Sequence, residues 1–223
     1  MKKLILLFVI VLFIEEMSPK PARSISGETM VWTVNYKVQE IDFRPIFDQI
    51  RRFEGGYGHD PHDAGGETYC GISRVSNPRW SGWSFIDSHK PIRYNQKFKE
   101  LDNQVYNFYY HRWKHNRLDM VGNQELSDRL FNISVNLGSD VASRLLVESL
   151  NLLNINGKRY PEIKDYKGID NNVLSVLYSC KSDSLFVESL NKTVKGLQLN
   201  RYVNICKNNP KKKRYLTAWL KRI

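Results

Sequence analysis

Cysteine is scarce: three in 223 residues. Cys70, Cys180 and Cys206 are too few for a disulfide framework; Cys180 and Cys206 could pair and would leave Cys70 free. No two stand at Cys-x-x-Cys spacing, which argues against a structural zinc site. No apolar run approaches the ~20 residues that a membrane span requires. The longest, Leu4 to Ile14, has eleven. There is no internal repeat. Acidic residues are the minority, 23 against 34 Lys and Arg, for a formal net charge of +11. That balance points to an anionic partner: nucleic acid, anionic lipid or an acidic polymer such as bacterial cell wall. The run Lys211-Lys212-Lys213-Arg214 belongs to no recognised nucleic-acid module, so it reads as a solvated basic face and no nucleic-acid partner is expected.

What is present begins with an export pattern. Lys2 and Lys3 precede the Leu4–Ile14 run, and Ala22-Arg23-Ser24 offers a small-x-small cleavage site. Residues 1–24 therefore read as a signal peptide or an N-terminal membrane anchor, which places the protein in the periplasm or cell envelope. Residues 25–40 read as a linker. From Asp42 the apolar residues Phe43, Ile46, Phe47, Ile50 and Phe53 fall on one helical face, and Gly55-Gly56 stops that helix. Residues 55–90, rich in Gly, Pro, Asp, Ser and His, read as loops with a short hairpin. Helix resumes at about Phe98 to Trp113, then from Glu125 through Leu153 with a break near Gly138, and again from Asn171 onward.

Glu54 sits at the end of the first of these helices. The negative end of a helix dipole disfavours a carboxylate by a few tenths to ~1 kcal/mol, and the apolar Phe53 beside it works in the same direction. Both favour the protonated form that a general acid requires. Glycoside hydrolysis ordinarily needs a second carboxylate, and Asp60, Asp63 and Glu67 follow in the loop. Asp60 precedes Pro61 and reads as a turn former. A helix-end Glu, a loop Asp and then Thr68 resemble phage-type lysozymes, where the Asp and Thr hold a water opposite the acid. His59, Asp60, His62 and Asp63 are residue types that suit a metal, but their spacing matches no strong ligand motif, so neither metal nor cofactor is implied. Trp80 and Trp83, in a polar Gly/Ser loop, are candidates to stack on sugar rings. Tyr109, Tyr110 and Trp113 stand at helical spacing and read as core.

The resemblance can be narrowed. Glu54-Gly55-Gly56-Tyr57, then Asp60-Pro61-His62-Asp63-Ala64-Gly65-Gly66-Glu67-Thr68, then Gly71-Ile72-Ser73 resembles the N-acetylmuramidases of glycoside hydrolase family 108, which includes proteins described as secretion activators. Val105 to Trp113, Leu130 to Gly138 and Arg214 to Arg222 resemble three further stretches of that family, the last ending in Trp-Leu-x-Arg. Asn132 departs from the family's Asp. The stretch from Gly157 to Asn172 keeps little of the family's wall-binding pattern. The resemblance implies a mainly α, lysozyme-like fold with a short loop or β-hairpin region after the catalytic helix and a small helical C-terminal part. It implies a muramidase domain over 41–152 and a C-terminal part over 153–223 associated with peptidoglycan binding. Glu54 would be the acid, Asp63 and Thr68 the water-positioning pair, and Tyr57, Trp80, Trp83 and Asn136 substrate contacts. Bacterial peptidoglycan is the implied partner of a monomer. A secretion or conjugation apparatus and the inner membrane, through the N-terminus, are candidate contacts. A lytic transglycosylase and a non-catalytic wall-binding accessory protein are the alternatives. For the last helix, Leu216, Trp219 and Leu220 share one face expected to dock, with Lys212, Lys213, Lys221 and Arg222 around it in solvent.

Overall fold

The computed structural model describes residues 41–59 and 66–223. The proposed export segment and linker lie outside the described residues, as do Asp60 and Asp63. Among the described residues no helix is long and apolar enough to cross a membrane.

The first helix, α1 (Arg44–Phe53), buries Ile46, Phe47 and Ile50. Its start is fixed by Asp42, whose Oδ1 accepts the Arg44 N–H at 2.9 Å. The Gln124 amide in turn brackets Asp42, accepting from its N–H and donating to its carbonyl. At the far end Glu54 leaves helical geometry (φ −81°, ψ 129°) while its N–H still bonds Ile50 O. The chain then runs into β1 (Tyr57–His59), β2 (Glu67–Tyr69) and β3 (Ile72–Ser73), an antiparallel sheet in the order β1-β2-β3. Gly58 faces Thr68, and Thr68 faces Ser73. The loop region that reads as a hairpin thus gains a third short strand. It also gains a helix, α2 (Gly82–Ser88), which a polar, Gly- and Ser-rich composition conceals.

The rest is helical. A 3-10 turn at Lys99–Leu101 leads into α3 (Asp102–His115), which buries Val105, Tyr109 and Trp113 at a spacing of four. Asn123 caps α4 (Gln124–Leu137) through its side-chain oxygen. Gly138, at φ +101°, turns the chain directly into α5 (Ser139–Leu153); a residue with a Cβ would be strained there. Asp170 and Asp183 cap α6 (Asn171–Cys180) and α7 (Ser184–Asn208). A 3-10 turn at Pro210–Lys212 then leads to α8 (Lys213–Leu220). The mainly α class with a small sheet after the first helix is the class expected.

Among the described residues one buried core runs from Ile41 to Val194. Phe43, Trp113 and Phe131 meet edge to face or tilted, with centroids 5.3 to 5.6 Å apart. This cluster ties α1, α3 and α4 together, and α1 is the element that presents Glu54. Cys70, Cys180 and Cys206 are all free thiols and all buried.

Candidate active site

Glu54 is held from both sides of its backbone. Its carbonyl accepts from Lys97 Nζ at 3.3 Å. The following Gly56 N–H donates to Asn95 Oδ1 at 2.6 Å. A Cβ on Gly56 would lie 2.3 Å from the Gln96 carbonyl, so the second glycine after the acid admits the 95–96 segment. Across the site Gly71, at φ +78°, has the same relation to the acid itself. A Cβ there would meet Glu54 Oε2 at 2.6 Å and the Tyr109 hydroxyl at 2.7 Å. The Gly71 backbone, the Tyr109 hydroxyl and the Glu54 carboxylate therefore occupy one small volume. Tyr109 donates to the Cys70 carbonyl at 2.8 Å, and the Cys70 N–H bonds Gly56 O, closing the ring around the carboxylate. Burial pushes the Cys70 thiol up; its Sγ accepts from Arg51 Nη1.

No local pattern signals what occupies the other carboxylate oxygen. Arg222 Nη2 donates to Glu54 Oε1 at 3.0 Å, and the two side chains are only 12% and 18% exposed. The Arg222 guanidinium also lies over the Phe53 ring, 5.0 Å from its centroid. Arg222 is therefore not one of the solvated flanking cations that the pattern of α8 suggests. The Trp-Leu-x-Arg resemblance marked the position and gave it no role.

Of the other expected site residues, Thr68 occupies the middle of the sheet, its hydroxyl weakly engaged with Gly58 O at 3.4 Å. Glu67, a candidate second carboxylate, is committed elsewhere. It is buried, accepts from Tyr57 at 2.9 Å and Arg74 at 2.5 Å, and pairs with Lys90. Burial works against its charge, but hydrogen bonds from Lys90, Arg74 and Tyr57 prevail and hold its carboxyl below the usual range. Tyr57 is thereby anchored rather than offered to substrate: its ring is 8% exposed and its hydroxyl is taken by Glu67. In the neighbouring groove of about 630 Å³ the exposed ring is that of Tyr94, at 87%.

The two loop tryptophans part company. Trp83 is a core residue, 3% exposed, with its indole N–H donated to Asn77 O and Arg74 lying over its ring. It is unavailable for stacking on a sugar because α2, which the loop reading missed, turns it inward. Trp80 is half-buried, one face against Tyr69, and lines a cavity of about 1080 Å³ with Phe108, Gln104, Arg79 and Arg112. Asn136 is also a structural link: its amide donates to the Tyr202 hydroxyl at 3.2 Å, and Tyr202 stacks on Trp219.

Residues 47–138 match the family model described as Glycosyl hydrolase 108. That stretch is similar to glycosyl hydrolase family 108. The matched segment runs from within α1 to the end of α4 and so contains Glu54, Gly71, Tyr109 and Asn136. The match supports a glycoside hydrolase fold and activity for this segment, and the matched family implies peptidoglycan as the polymer. No curated protein matches the chain. Among solved structures, SagA of Brucella abortus is similar at 15% identity, over 80% of this chain and 94% of that one, with a TM-score of 0.40. A likeness that loose carries no structural argument.

Proposed function

We propose that this chain is a glycoside hydrolase of the family 108 type and acts as an N-acetylmuramidase, cleaving the β-1,4 bond between N-acetylmuramic acid and N-acetylglucosamine, with Glu54 as the general acid. The supporting observation is the setting of Glu54. It is a carboxyl at a helix end, fixed by Lys97 and the Asn95 segment through its backbone, with Gly71 kept bare to admit it. Glu54 gives its proton to the glycosidic oxygen as the C1–O bond breaks. A water adds its oxygen to C1 and yields its proton to a base. With Glu67 committed to its ion pairs, we assign that water to Asp63, with Thr68 as its second partner. Trp80 is the stacking platform of the substrate groove.

Glu54→Gln keeps the shape and removes the donated proton, a loss of ~10²–10⁴-fold at least. Lysis of wall in a gel by purified protein, wild type against Glu54→Gln, tests the assignment, and equal lysis would end it. Product masses test the reaction: hydrolysis adds one water per cleavage, whereas a 1,6-anhydro end would make the enzyme a transglycosylase.

A further inference from the structure

The contact between Arg222 and Glu54 joins residues 168 positions apart, and it conflicts with the role of Glu54. One carboxylate oxygen is occupied by the guanidinium; the other lies against Gly71 and Tyr109. A proton donor must be the neutral acid, which has no charge to share with an arginine. The pair must therefore separate before the reaction. Separation in a site this enclosed strands a guanidinium, which is costly unless another anion takes the place of Glu54.

The surroundings of Arg222 bear on that exchange. Its Nη1 is fully buried and makes no hydrogen bond among the described residues, so a donor remains unused beside the acid. The segment that carries it is lightly held. Trp219 stacks on Tyr202 at 5.2 Å, and Arg129 Nη1 reaches the Ile223 carbonyl at a long 3.4 Å. Leu220, expected to dock, is 44% exposed.

Building on the muramidase reading, we infer that Arg222 is a substrate-anion receptor that masks Glu54 in the empty site and exchanges it for a carboxylate of the saccharide. An incoming carboxylate takes both guanidinium nitrogens in a bidentate pair. Glu54, released, takes a proton from solvent and becomes the donor. An acidic glycan thereby unmasks the enzyme that cleaves it, and a neutral glycan leaves the mask in place. Two wall groups supply this chemistry: the carboxylates of the stem peptide and, on muramic acid that carries no peptide, the lactyl carboxylate that the peptide's amide bond otherwise neutralises.

The test uses soluble wall fragments before and after their carboxylates are converted to neutral amides. Wild type should cleave the acidic form with kcat/KM roughly tenfold or more above the neutral form, the scale of one charge-assisted pair. Arg222→Gln should cleave both at similar rates, and Arg222→Lys should restore part of the preference. Melting curves confirm that each variant is folded. Wild type without a preference, or Arg222→Gln with a wild-type preference, would overturn the inference while leaving the muramidase reading intact. No cleavage of either form by wild type would instead defeat the reading beneath it. Strands stripped of their peptides by an amidase assign the source. Amidase frees the lactyl carboxylate as it removes the peptide, so a preference on peptide-bearing fragments belongs to the stem peptide, and stripped strands cleaved faster than their own amidated form show that the lactyl carboxylate is accepted.

Discussion

Gly71 and Gly56 show how a residue with no side chain shapes a reactive centre. Each stands where a Cβ would collide with something the site needs: the Glu54 carboxylate in one case, the 95–96 backbone in the other. At Gly71 a second constraint applies, because φ +78° lies in the left-handed region and costs an L-residue ~1–2 kcal/mol. Gly71→Ala is therefore expected to stay folded with a lowered melting temperature and to lose far more activity than stability. Displacing the carboxylate by about 1 Å is enough for a loss of ~10²-fold. Melting and lysis measured on the same preparation decide this, and a variant as active as wild type would show that the carboxylate does not use that space.

At the scale of elements, the shortest helix near the chain's end has the longest reach. α8 buries no residue fully, yet through Trp219 it packs on α7, and two residues past its end Arg222 reaches the end of α1. Full burial would make Trp219→Ala a loss of ~3–5 kcal/mol. The indole is instead half-buried, stacked between Tyr202 at 5.2 Å and Tyr215 at 6.0 Å. The expected loss is about 2 kcal/mol, the sum of partial burial and an aromatic pair. A thermal melt checks the magnitude. Asn136 belongs to the same linkage: it supports Tyr202 from α4, inside the family segment, while Tyr202 and Trp219 lie outside it.

The whole molecule carries a titration that its acid and its ion pairs do not explain. Burial raises the Asp128 carboxyl on α4 to about 6; a hydrogen bond from Gln124 opposes that rise and nearby Asp42 adds to it. A folded-state value above the unfolded one means stability that is full below pH ~4 and lost as the pH climbs through about 6. Asp128→Asn removes the charge and keeps the shape. At pH 7 the variant should be more stable than wild type by about 3 kcal/mol, ~1.4 kcal/mol for each pKa unit of the rise, and at pH 4 the two should melt together. Parallel melting-temperature profiles across that range would refute the account.

Local physics determined much of this protein from sequence. Helical periodicity gave α1, α3 and the pair α4 and α5 with their break at Gly138, because a stripe of apolar residues has one way to be buried. The Glu-Gly-Gly-Tyr signature singles out Glu54, and its contiguity with the apolar stripe places that carboxyl at a helix end. Tertiary structure decided what contiguity cannot carry. Trp83 and Trp80 are equivalent in sequence, and α2 buries one and leaves the other at a groove. Glu67 looked as available as Asp63 until Arg74 and Lys90 were found against it. Arg222 read as a wet cation because its neighbours in sequence are Lys221 and Ile223; its neighbours in space are Glu54 and Phe53. Whether a charge is solvated or paired depends on what the chain folds against it, and 168 intervening residues leave no local pattern from which to read that.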